Sequence, residues 1–229
     1  MNGSTKEIVI NLYNKYPTAC IYASKIYNRL FGNNKINISN YNNVLFELTV
    51  IKNIEINIIG KNNVINVGNL TRLESCNIYI KGNNNRIFIG ENASLNETEL
   101  HIEDDNNEII IGNKTTIQGK THLAAIEGTI INIGEDCMFS SYIHFATGDS
   151  HSIINDRGER INKSSNIFIA DHVWVGTQVT VLKGTSVMKN SIIGAKSLLN
   201  KSYNHSNVII AGNPGVIIKT NINWLRERI

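Results

Sequence analysis

The sequence predicts an all-β solenoid, a parallel β-helix, and two registers of internal repeat carry that prediction. The first has a period of 22. NNVINVG (62–68), NNRIFIG (84–90), NNEIIIG (106–112) and GTIINIG (128–134) superimpose without a gap, with glycines at Gly68, Gly90, Gly112 and Gly134. A second apolar track keeps this spacing at Ile58, Ile80, Ile102 and Ala124. The other register has a period of six: Ile169, Val175, Val181, Val187, Ile193 and Leu199, with small or β-branched Val173, Val179, Thr185, Ser191 and Ser197 two residues ahead of five of them.

Apolar residues that alternate at period two describe strands rather than helices. The Asn and Gly residues between them tolerate left-handed backbone angles and suit tight corners. Strand–corner units at a fixed period stack as a solenoid. Such repeats alone would also suit a purely structural β-helix.

The ends read differently. Residues 4–31 have helical character, with one apolar face of Tyr and Ile, a possible capping box of Ser4 with Glu7, and Pro17 as the break or kink. This segment, within a cap spanning 1–35, is expected to cover the open end of the solenoid, where unpaired edges invite aggregation. The β-helix itself is expected over 36–221. Its coils are 22 residues long to about 134 and 18 residues long from 169, around a loop at 146–167. Ile222–Ile229 reads as a short C-terminal helix.

Composition excludes several classes. A net charge of +3 without a Lys/Arg run does not signal nucleic acid as a partner. No apolar run approaches the roughly 20 residues of a transmembrane helix, and the first residues lack the form of a signal peptide. The expected location is cytoplasmic, with peripheral membrane contact left open. Cys20, Cys76 and Cys137 are odd in number and far apart, which argues for core filling over disulfides or a cysteine metal site.

The hexad pattern, with IGENAS (89–94), IGNKTT (111–116) and IGEDCM (133–138) as earlier instances, resembles the hexapeptide-repeat acyltransferases over roughly residues 85–220. The resemblance implies a left-handed parallel β-helix with three hexads per coil. The handedness departs from the usual crossover rule.

The solenoid rhythm breaks once, between Phe145 and Ile167, in the polar stretch ATGDSHSIINDRGERINKSSN. Excursions from a rigid scaffold are where function concentrates. GDSHSI (148–153) followed by IADHVWVG (169–176) is similar to the arrangement in the sugar O-acetyltransferase branch of that family, including the His–Trp separation. The resemblance implies an acetyl-CoA-dependent O-acetyltransferase that acts on a capsule, O-antigen or sialic-acid-type glycan. It further implies direct transfer, no metal, and active sites between the subunits of a homotrimer.

Under that reading His151 is the candidate general base, because a neutral alcohol needs its proton removed as it attacks a thioester. Asp149 either orients the imidazole or caps a turn. Trp174 lies between inward Val173 and Val175, so it must face outward, at an interface or a ligand. The backbone N–H of Thr177, after the Gly176 of the Trp hexad, is the implied oxyanion donor. His144, opposite in direction to Ile143, and Tyr142 are candidate substrate contacts. Gly176, Gly194, Ala195 and Lys196 match the family's pantetheine-binding segment. Lys201 and Lys219, the latter in AGNPGVIIK (211–219), match positions that meet CoA phosphates. The rival readings are an N-acetyltransferase on an amino-sugar nucleotide, a zinc hydratase using His144, His151 and His172, and a non-catalytic β-helix.

Overall fold

The computed structural model describes residues 8, 11–39 and 41–229. The capping box assigned to Ser4 and Glu7 lies outside the described residues. The chain is a parallel β-solenoid of about seven turns, consistent with the left-handed form that the resemblance implies.

Each turn contributes a strand to three faces. The first face includes Val50–Lys52, Arg72–Glu74, Met138–Phe139, Trp174–Val175, Ile192–Ile193 and Ile209–Gly212. The second includes Glu55–Ile59, Asn77–Lys81, His144–Ala146, Thr180–Leu182 and Leu198–Leu199. Two ten-residue strands, Ser94–Glu103 and Thr116–Ala125, run across the edge between these two faces. The third face runs from Asn43–Phe46 through Glu108–Ile111 and Ile167–Ile169 to Ser202–Tyr203.

Register explains both periods. On the third face Arg86 pairs with Glu108 and Glu108 with Ile130, which are 22-residue steps. Ile131 then pairs with Ile167, a step of 36, and Phe168 with Ser186, a step of 18. The step of 36 is one 18-residue coil with 18 further residues, which the polar loop supplies. The final pairing, Gly212 with Gly215, reverses direction and closes the stack with the antiparallel strand Gly215–Lys219.

The core is a set of stacked aliphatic columns. Ile65, Ile87, Ile109, Ile131 and Ile167 form one column, and Val175, Val181, Val187, Ile193 and Leu199 all lie inside. Each buried aliphatic side chain contributes about 1.5–3 kcal/mol relative to exposure. One column departs from the sequence track. Ala125, not Ala124, meets Ile102, because the ladder slips by one residue between Gln118 and Thr121, at Gly119–Lys120. The bulge adds one residue, and a one-residue slip swaps the side chain that faces inward.

The corners require positive φ, and three tracks supply it. Asn62, Asn84 and Asn106 turn one edge at φ 58–62°; Asn92, Lys114, Asp136 and His172 turn another at 52–59°; Tyr142, Gln178 and Lys196 turn the third at 59–60°. Between second and third faces Gly60 and Gly82 permit close stacking: a Cβ on Gly60 would lie 1.9 Å from the Gly82 carbonyl oxygen. The second Asn of each NN pair has a different task. Asn63, Asn85 and Asn107 are fully buried. The Asn85 N–H donates to Asn63 Oδ1 (2.9 Å), the Asn107 N–H to Asn85 Oδ1 (2.8 Å) and the Thr129 N–H to Asn107 Oδ1 (2.9 Å).

The helix α1 (Pro17–Phe31) begins at the proline, after a helical run over 11–15, and Tyr16 between them leaves helical angles at φ −138°. It is tied to the first turn where the Ser24 Oγ and Asn28 Nδ2 both donate to the Thr49 carbonyl at 2.7 Å. Cys76 and Cys137 fill the core, while Cys20 is half-buried on the helix.

Residues 222–229 form no helix, contrary to the sequence expectation. An eight-residue helix is marginal alone, and the tail is committed to side-chain docking instead. Trp224 stacks on His172 (ring centroids 4.1 Å apart, 7° between planes) and donates its Nε1–H to the His172 carbonyl at 2.9 Å. Arg226 donates to Asp136 Oδ1 at 2.9 Å and to the Cys137 carbonyl at 2.9 Å.

The ladder yields a stability test. Asn85→Ala leaves the buried Asn107 N–H without its partner, at about 1–3 kcal/mol for the orphaned group. The midpoint of urea unfolding is expected to fall clearly. An unchanged midpoint would show that the ladder contributes nothing net.

Candidate active site

The loop that interrupts the solenoid leaves at the edge between second and third faces and carries its own structure. The Ile161 N–H donates to the Ile153 carbonyl (2.9 Å), an antiparallel bridge joins Ile154 to Arg160, and Asn155 Oδ1 closes the turn by accepting from the Arg157 and Glu159 N–H groups at 2.9 Å. The result is a short hairpin with Ile153, Ile154 and Ile161 exposed.

The base of this hairpin is clamped from two coils. Below, Glu127 accepts from Arg160 Nη1 and from the Ser164 hydroxyl, each at 2.7 Å. Above, Lys183 pairs with Asp149 and donates to the Asn162 carbonyl at 3.0 Å. Buried Asn162 joins the parts. Its Nδ2 donates to Asp149 Oδ2 and to the His151 carbonyl, each at 2.7 Å, and its Oδ1 accepts from the Ile153 N–H at 2.8 Å.

The charges suit this clamp. Hydrogen bonds from Lys183 and then Asn162 hold the Asp149 carboxyl below its ordinary range, and the Arg160 hydrogen bond does the same for Glu127. Asp149 releases its proton more readily folded than unfolded. Its pairing therefore contributes stability above the ordinary aspartate value of about 4 and is lost as the pH falls through the lower folded value.

Asp149 was a candidate to orient the His151 imidazole. Its carboxylate is instead taken up by Lys183 and Asn162, so it fixes the backbone around His151 and not the ring. His151 itself is exposed.

Trp174 faces outward, 38% exposed, between fully buried Val173 and Val175. Its ring lies 6.2 Å from that of Trp224 on the C-terminal tail. Thr177 turns the edge between first and second faces, where its hydroxyl donates to the Ser141 carbonyl at 2.9 Å. Among the described residues the main-chain N–H groups of Ser141, Thr177 and Ala195, on successive coils of this edge, have no hydrogen-bond partner. Gly176 lies directly beneath Ala195: a Cβ there would come within 2.7 Å of the Ala195 nitrogen. Gly194 and Lys196 flank Ala195 on the same corner. Tyr142 sits exposed two coils below Lys196 on this edge, also with positive φ. Lys201 lies near the Tyr203 ring (5.8 Å) and Lys219 ends the last strand.

His144 projects from the second face between these two edges and ends an aromatic ladder. Tyr79, His101, His122 and His144 follow one another at 5.1, 5.8 and 5.2 Å between ring centroids. Desolvation, then the charge of His122, lowers the His144 pKa.

The base of the His151 loop and Thr177 therefore stand at opposite edges of the second face, with the strand Thr180–Leu182 between them. His144, His151 and His172, the trio considered for zinc, do not converge. His172 belongs to a third edge, where its Nδ1 meets Asp136 Oδ2 at 2.8 Å and its Nε2 the Trp224 carbonyl at 3.0 Å.

Sequence reasoning missed Glu127, Arg160, Asn162 and Lys183, whose clamp contacts reach across as many as 37 residues of chain. It also missed the partnership of His172 with Trp224. Only a polar side chain repeated on the loop's own edge could have pointed to the clamp.

A parallel β-solenoid of stacked hexad columns, interrupted by one clamped histidine-bearing loop, has the form of the hexapeptide-repeat transferases. Comparison with known proteins agrees. The solved structure of the polysialic acid O-acetyltransferase OatWY is 33% identical and superimposes with a TM-score of 0.62 over 86% of this chain and 90% of that one. The polysialic-acid-specific acetyltransferase NeuO is 29% identical, with a TM-score of 0.70 over 86% and 82%. A polysialic acid O-acetyltransferase of Neisseria meningitidis is 35% identical over 117 residues, 48% of this chain and 54% of that protein. The chain thus spans about half the length of this curated relative. No family model matches the chain. The chain belongs to the hexapeptide-repeat O-acetyltransferase family.

The clamp predicts a local effect. In Asn162→Ala, amide protection across 149–162 is expected to fall in hydrogen exchange while the flanking strands keep theirs. Unchanged protection would show that the loop is held by other contacts.

Proposed function

We propose that the protein transfers an acetyl group from acetyl-CoA to a sugar hydroxyl of a capsule, O-antigen or sialic-acid-type glycan. The observation that carries this reading is the clamped His151 loop on one edge of the second face, whose other edge bears the unpartnered N–H of Thr177, with Trp174 on the adjoining first face.

His151 takes the proton of the acceptor hydroxyl as its oxygen attacks the thioester carbonyl, a contribution of about 10²–10⁴-fold. The Thr177 N–H donates to the carbonyl oxygen as negative charge develops there. The new C–O bond forms, the C–S bond breaks, and His151 returns the proton to the departing thiolate. His144 and Tyr142 flank the acceptor. Cys137 is unsuited to hold an acyl group, since burial pushes its thiol up to about 12.

On the cofactor side, the Ala195 N–H is a free donor for an amide-bearing arm, and Gly176 and Gly194 leave the corner narrow enough for it to lie close. Lys196, Lys201 and Lys219 supply the positive charge that phosphates require.

The separation of His151 from Thr177 supports a site shared between copies. One chain's hairpin, with Ile153, Ile154 and Ile161 exposed, reaches the Trp174 edge of a neighbour, and three such contacts close a homotrimer. The reaction belongs to the cytoplasm, where acetyl-CoA is available.

His151→Ala is expected to lower kcat by about 10²-fold or more while CoA binding persists; near-normal turnover would refute the base assignment. Glycans labelled from radioactive acetyl-CoA should lose their label in mild alkali, as an ester does, whereas retention would indicate an amide. Mixing His151→Ala with Trp174→Ala subunits should restore activity that neither has alone. Failure to recover any, in trimers shown to be mixed, would exclude the shared site.

A further inference from the structure

Helix α1 meets the solenoid along one narrow edge, through Ser24 and Asn28. The rest of its circumference is uncovered. Tyr22 is 64% exposed, Ile26 58%, Leu30 67% and Phe31 65%, and Tyr27 is exposed with them. At about 100° per residue, Ile26, Leu30 and Tyr27 form a stripe roughly 100° wide, with Arg29 and Lys25 about 60° and 100° to one side. Leu12 and Tyr16 extend the exposed apolar surface ahead of the proline, and Ile36, Tyr41 and Leu45 continue it onto the first turn.

The charge of this segment is one-sided. Residues 8–31 contain Lys15, Lys25 and Arg29 and no Asp or Glu. Of 22 Lys and Arg in the chain, removing these three leaves 19, which balance the 19 Asp and Glu. The whole net charge of +3 thus equals that of residues 8–31, the stretch that carries the bare apolar face of α1.

We propose that this helix docks the protein onto an anionic lipid surface. Its apolar stripe would enter the boundary between headgroups and acyl chains, with Lys15, Lys25 and Arg29 against lipid phosphates. Among the described residues no helix is long and apolar enough to cross a membrane, so the contact is peripheral. A second copy of the helix is the poorer occupant. Pairing two such stripes brings rows of like charge together, and the segment holds no carboxylate to offset them. The inference is independent of the catalytic reading, because no residue of the candidate site lies on this helix.

The test is co-sedimentation of the full chain with phosphatidylcholine vesicles, with and without phosphatidylglycerol. Binding is expected only with phosphatidylglycerol and should weaken as salt is raised. Lys25→Glu with Arg29→Glu should reduce it about tenfold or more. Ile26→Ser with Leu30→Ser should abolish it at low salt, with circular dichroism and oligomer size unchanged. Absence of binding to anionic vesicles, or equal binding by the charge-reversed variant, would overturn the proposal. Dissociation of the oligomer by Ile26→Ser with Leu30→Ser would also overturn it and assign the stripe to a second copy.

Discussion

Stacking of corners governs this molecule. A parallel β-helix must reverse its chain three times per turn, and each reversal puts a residue into backbone angles that L side chains resist. Here Asn, Asp, Lys and Gly take those positions on successive turns, and the buried Asn63–Asn85–Asn107 series hydrogen-bonds each corner to the next. Once corners lie above corners, strands pair in register and the isoleucine columns follow. A backbone N–H buried at a corner has no water to turn to, so the ladder links core packing to turn geometry.

That rigidity gives the loop its meaning. The chain leaves the stack after Ala146 and rejoins it at Ile167 without loss of register. The excursion is therefore an insertion into an intact scaffold, held from below by Glu127 and from above by Lys183. A histidine on such a loop is fixed relative to the strands by a handful of charge-assisted bonds. The same regularity keeps the Thr177 edge a full face away from the base of the loop.

Much of this was legible in the residues. The 22-residue period, the inward hexad columns, the outward Trp174 and the single interruption all follow from alternation and repeat spacing, which are local properties. What escaped was not local. The bulge at Gly119–Lys120 moved Ala125 into the place of Ala124, because one extra residue is invisible to a pattern of fixed period. The tail read as helix from its composition, yet Trp224 and Arg226 dock against His172 and Asp136, which are 52 and 90 residues away. Asp149 read equally well as a partner for His151 or as a turn cap. The competing cation, Lys183, enters only once the next coil is stacked above it.

A solenoid of this kind is also a ruler. Each turn adds about 4.8 Å along the axis and touches only its neighbours. The first turn, which carries α1, and the turn that opens into the His151 loop are about four steps apart, roughly 20 Å. Insertion or loss of one 22-residue unit between them would change that height by a single step and leave both ends chemically intact. Distance between the helix and the reactive edge can thus vary in evolution by whole repeats, independently of what either end binds.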